Sequence, residues 1–169
     1  MCIRDRFKRG AWTLLRPVSV PLWGGWFEAT KSPTSATTWV RWLDSEALTR
    51  IRSAAPSLPR GLRLAQIQGR HLQSVLIPEL IDKQLQLQVA PISGIPLSSA
   101  FATDSTLAEK ANLIIHQVAE ALSPLHAAGI AHGRVLPDRI YWDAETSEVT
   151  LARDPLCAAT ATLDKSAIG

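Results

Sequence analysis

The chain has 169 residues, 46% apolar and 20% charged, with a formal charge of +3. Those proportions suit one folded domain and exclude a wholly disordered chain. The charge excess is small and no dense Lys/Arg block occurs, which excludes a marked nucleic-acid face, and two cysteines, Cys2 and Cys157, exclude both a disulfide framework and a Cys-x-x-C zinc site.

No run of roughly 18 apolar residues is present, so no membrane segment is expected, and the cysteine usage fits a reducing, cytoplasmic setting. The start, Met1-Cys2-Ile3-Arg4-Asp5-Arg6, reads as a translated sequencing-adapter remnant, and residues 1–11 are expected to be an unstructured start. The other end, Ala167-Ile168-Gly169, reads as cut.

Strand-like material comes first. Residues 12–15, 23–29 and 37–43 are rich in aromatic and β-favouring types, with turn-rich patches at 17–21 and 31–35 between them. Five of the six tryptophans precede residue 43 and are expected to fill a small β-core. Residues 44–54 have helical composition, capped by Ser45 and stopped by Pro56 and Pro59. A second helical piece is expected over 62–68, ending at Gly69.

The clearest strand is Gln84-Leu85-Gln86-Leu87-Gln88-Val89, whose unbroken alternation gives one apolar and one polar face. Residues 75–81 precede it across Asp82-Lys83, which predicts a hairpin, and Pro78 marks the first arm as an edge or bulged strand. Residues 91–96, with Gly94 inside, read as a hinge. The clearest helix follows: Leu107, Ala111, Ile114, Ile115, Val118, Leu122 and Leu125 recur at three- and four-residue steps. Thr106 and Glu109 predict a capping box, Pro124 a loosened last turn, and Gly129 the left-handed end. Residues 140–142 and 149–152 then predict two short strands joined by a polar turn. Strands first and a helix later make the chain α+β by element order.

The segment Leu125-His126-Ala127-Ala128-Gly129-Ile130-Ala131-His132-Gly133-Arg134-Val135-Leu136-Pro137-Asp138-Arg139-Ile140 resembles the protein-kinase pattern L-H-x-x-G-I-x-H-R-D-L-K-P-x-N-I. His126, Gly129, Ile130, His132, Pro137 and Ile140 stand in register. The resemblance covers residues 12–169 and is strongest from Leu107 on. It implies a Ser/Thr-kinase-like fold: an antiparallel β N-lobe over 12–92, then a truncated, mainly α C-lobe over 93–169 that holds the catalytic-loop region and the start of the activation segment.

In that family the catalytic loop supplies a base Asp, a phosphate-contacting Lys and a metal-binding Asn. Arg134, Leu136 and Arg139 occupy those positions here. A guanidinium stays protonated and cannot accept the substrate proton. The metal-binding Asp of Asp-Phe-Gly aligns with Arg153; Asp154 takes that place only if the register shifts by one. The glycine-rich loop keeps Gly24 alone of its three glycines. The V-A-I-K strand aligns with Thr38-Trp39-Val40-Arg41, so Arg41 replaces the lysine and Trp39 the small alanine. Trp26 replaces the valine after the loop. The family's alanine and valine roof the adenine, so Trp39 and Trp26 are expected to fill that site.

His132 has a structural role in the family. Arg134, Arg139 and Arg153 are compatible with a pocket for an acidic ligand, but ordinary surface pairing with Asp138, Asp143 or Glu148 is the favoured expectation. The resemblance thus implies a pseudokinase without nucleotide cofactor that acts on an unidentified protein partner. The alternative is an ATP- and Mg-dependent Ser/Thr kinase with atypical catalytic residues, Asp154 and Asp143 holding the metal. A third reading is a basic binding module whose kinase likeness is accidental.

Overall fold

The computed structural model of the chain describes residues 8–9, 11–18, 25–32, 36–43, 46, 49, 67–76, 79–81 and 84–153. Gly24, Asp154, Ser45, most of the piece expected at 62–68, and most of the helix expected at 44–54 lie outside them; Glu46 and Thr49 are helical.

Six antiparallel strands form the first sheet: β1 (Lys8–Arg9), β2 (Trp12–Val18), β3 (Trp26–Lys31), β4 (Thr37–Leu43), β5 (Glu79–Ile81) and β6 (Gln84–Val89). Their order is β1-β2-β3-β4-β6-β5. Lys8 and Arg9, inside the start set aside on sequence, pair with Thr13 and Trp12. The turn expected from residue 17 begins later, because β2 carries Pro17 opposite Phe27. Beyond Thr13 that side of β2 has no strand beside it among the described residues, so a missing N–H costs no ladder bond. β5 starts directly after Pro78 and lies at the sheet edge, as its proline requires.

Strand alternation sorts the sheet into two faces. Trp39 and Leu43 pack with Trp26, Val75, Leu87 and Val89 on one face, and Val40 with Trp12 and Ala29 on the other. The polar side of β6 is covered as well: Gln86 and Gln88 are buried opposite Trp42 and Val40.

A second sheet of three short strands, β7 (Ile95–Pro96), β8 (Ile140–Asp143) and β9 (Glu148–Leu151), follows the hinge. Around it lie helix α1 (Leu97–Thr103), a 3-10 turn (Ser105–Lys110) and helix α2 (Ala111–Ala127). The long helix therefore starts later than its apolar steps predict, and its entry is not a capping box. Asp104 caps the 3-10 turn instead, its Oδ1 accepting from the Thr106 N–H at 2.9 Å and the Thr106 hydroxyl at 2.6 Å. Those two bonds hold its carboxyl below the ordinary carboxylate value.

At the other end Pro124 stays inside the helix. Gly129, at φ +68°, then reverses the chain so that Ile130 N–H reaches Leu125 O and Gly129 N–H reaches His126 O, each at 2.9 Å. Ile130 and Leu125 join the core with Leu107, Ile114, Trp142 and Leu151. Ile115 does not: it is 66% exposed, one position off the buried line of Ile114, Gln117, Ala121 and Leu125.

Residues 67–76 strap the two sheets together. Leu72 bridges to Leu151 in parallel and Val75 to Val89 antiparallel. The hinge is equally constrained. Gly94 sits at φ +87°, and a Cβ there would lie 2.2 Å from the Trp142 carbonyl oxygen. Gly94→Ala is expected to lower stability by about 2–4 kcal/mol, strain and backbone displacement combined, read as an earlier urea midpoint. Among the described residues no helix is long and apolar enough to cross a membrane.

Candidate functional site

The segment 125–140 runs from the end of α2 to the start of β8. His132 anchors it. The ring is buried, its Nε2–H donates to Ala152 O at 3.0 Å, and its Nδ1 accepts from the Arg134 N–H at 3.4 Å. Burial pushes its pKa down to about 4, and the nearby Arg153 and Arg139 charges add to that. The imidazole is therefore neutral at pH 7 and pins the loop to the end of β9. The chain next turns through Gly133, at φ +80°. Leu136 and Val135 are exposed on the turn, while Arg139 N–H donates to Leu136 O and Ala152 N–H to Arg139 O, both at 2.8 Å.

Arg139 and Arg153 come together around His132 and are almost wholly buried, at 3% and 6% exposure. The expected surface pairing is thus corrected for these two, which are not surface cations. Arg153 donates from Nη1 to Ile67 O at 2.8 Å, and burial draws its pKa down to about 10, leaving it charged at neutral pH. Glu148 pairs instead with Arg70 at 3.1 Å. Asp143 closes the β8–β9 turn, its Oδ1 accepting from Glu145 N–H at 2.9 Å and Thr146 N–H at 3.4 Å. It sits at the turn end of the hairpin and Arg153 just past the open end, where Ile140 faces Leu151. Three residues of strand rise separate those ends by roughly 10 Å. Arg134 is half-buried. The structure thus gathers Arg139 and Arg153, leaves Asp143 at the far end of the hairpin, and joins Leu136 to Arg139 only through the backbone, its side chain exposed.

The strap supplies residues that sequence reasoning missed. Gln73, 3% exposed, donates from Nε2 to Ala90 O at 2.6 Å and accepts the Arg153 N–H at 2.9 Å. One side chain therefore ties the start of the hinge to Arg153, just past the end of β9. His71, held at φ +60°, donates from Nδ1 to Val149 O at 2.9 Å, and its Nε2 lies 3.4 Å from Glu120 Oε2. Gln117 of α2 accepts the Val149 N–H at 2.8 Å and donates to Ser147 O at 3.2 Å.

Between the first sheet and this assembly lies a cleft of about 600 Å³, lined by β2, β3, β4, the hinge, α1 and β8. Trp39 forms part of its wall, its ring centroid 6.3 Å from that of Tyr141, which also lines it. Trp26 stands behind Trp39, buried in the sheet core and not on the cleft wall. Arg41 shares the Trp39 face, nearly buried opposite Leu87. Burial raises the Tyr141 phenol above its ordinary pKa. No family model matches the chain, and neither does any curated protein.

Proposed function

We propose that the chain is a protein-kinase-like domain that does not transfer phosphate and serves as a regulatory or protein-interaction module in the cytoplasm. The order of an antiparallel sheet, a hinge, a long helix, a histidine-anchored loop and a hairpin supports the kinase-like part of this reading. One observation carries the functional part. The positions that the resemblance assigns to metal-binding residues hold Arg139 and Arg153, buried beside His132. Phosphoryl transfer depends almost wholly on positioning and on Mg²⁺ neutralising charge. Two guanidinium groups at those positions repel Mg²⁺, and Arg134 cannot act as the base. The Trp39–Tyr141 contact further narrows the space in which adenine would lie.

The test is transfer of labelled phosphate from Mg-ATP to the chain itself and to a generic Ser/Thr substrate. The expected result is no transfer above background. Transfer that vanishes in Asp154→Ala would instead establish the alternative, a kinase with atypical catalytic residues.

A further inference from the structure

The cleft carries an inference that does not depend on the kinase likeness. Its wall is aromatic where Trp39 of β4 meets Tyr141 of β8, the two rings tilted by 59°. Two carboxylates line it, Glu28 on β3 and Asp138 just ahead of β8. Glu28 is already bound to the guanidinium of Arg16. Asp138 is half-buried, and among the described residues its carboxylate makes no hydrogen bond or ion pair. Among the described lining residues, Glu28 and Asp138 give −2 and Arg16 gives +1, a net −1 in a chain of +3.

A half-buried carboxylate in a cleft walled by two aromatic rings has a specific chemical complement. An organic cation satisfies the carboxylate by a charge-assisted hydrogen bond and gains from the ring quadrupoles. The chain uses the second attraction elsewhere: Lys31 stands 5.4 Å over Trp12 and Lys110 5.2 Å over Trp142. An anion, a nucleotide phosphate included, would meet Asp138 with like charge. The volume lies within the range of small-ligand sites.

We propose that this cleft binds an alkyl guanidinium or ammonium, its charged head on Asp138 and its body against Trp39 and Tyr141. The cation belongs either to a free amine or to the side chain of a protein partner, and the chemistry of recognition is the same. The test is calorimetric titration of the 169-residue chain with butylguanidinium, its neutral isostere butylurea, and a blocked Gly-Arg-Gly peptide. Butylguanidinium is expected to bind saturably, more weakly as salt rises, and butylurea not to bind. Asp138→Asn should weaken butylguanidinium about tenfold, the difference between a charge-assisted and a neutral hydrogen bond. Peptide binding of similar strength assigns the cation to a partner side chain, and butylguanidinium binding alone assigns it to a free amine. Equal binding of butylguanidinium and butylurea, or no binding by either cation, overturns the proposal. The ligand pair gives this answer on the wild-type chain even if Asp138→Asn does not fold.

Discussion

Gln73→Leu is expected to lower the stability of the chain by about 2–5 kcal/mol. The substitution keeps the side-chain volume but strands two backbone groups, the part-buried Ala90 carbonyl and the buried Arg153 N–H, which have Gln73 as their partner. Each buried polar group left unsatisfied costs about 1–3 kcal/mol. That sum is a large share of the roughly 5–15 kcal/mol by which a domain is stable at all. The effect belongs to the strap between the two sheets and not to local strand propensity. Ser74→Ala, one residue on, removes only a solvent-side bond to Gln68 and should stay within about 0.5 kcal/mol of wild type. Urea unfolding of the two variants side by side checks this. Equal midpoints would mean that Gln73 does not join the sheets.

The second large effect is acid instability centred on His132. Its folded pKa of about 4 lies below the ordinary 6.5 because burial desolvates the ring and the Arg153 and Arg139 charges oppose a further positive charge, which together outweigh the bond to Ala152 O. As pH falls through 6.5 the unfolded chain takes up a proton that the folded chain refuses until about pH 4. Stability is therefore full above pH 6.5 and drains across that window, by roughly 3 kcal/mol at 1.36 kcal/mol per pKa unit. Carboxylates add their own slope below about pH 5, so the discriminating comparison is His132→Gln. That variant is less stable at pH 7, but its stability should change much less between pH 6.5 and 5. Parallel pH profiles for the two proteins would contradict the assignment.

Much of the scaffold was legible from residue pattern. The alternation of residues 84–89 located β6, and the proline at 78 located the edge. Three- and four-residue apolar steps found α2, and Gly129 marked its end, because a left-handed residue is needed for the Leu125–Ile130 closure. The entry of that helix was misread. Thr106 and Glu109 have capping-box spacing, but Asp104 stands two residues ahead of Thr106 and offers a stronger, charged acceptor. Ile115 shares the apolar steps of the helix yet faces solvent, since hydrophobicity does not say which side of an apolar arc meets the sheet.

The site was legible in part. A structural place for His132 was expected from the sequence, and its ring is buried and bonded to Ala152 O. The burial of Arg139 and Arg153 did not, because a sequence shows charge and not the hydrogen bonds that compensate its desolvation. Gln73 and Gln117 left a faint signal. Gln117 lies three residues after Ile114 and four before Ala121, a polar residue on the buried line of the helix. Such a residue needs a partner inside the protein, and here that partner is the β9 backbone at Val149.

Thermal unfolding with and without Mg-ATP tests most directly the proposal that the cleft does not take nucleotide. A ligand held by the native state raises the melting temperature. At a hundredfold excess over its dissociation constant the rise would be about 5–10 °C for a chain of this size. The expected result is an unchanged melting temperature at millimolar Mg-ATP, because the Trp39–Tyr141 pair narrows the cleft and the Asp138 carboxylate opposes phosphate. A rise of several degrees that saturates with Mg-ATP would contradict it.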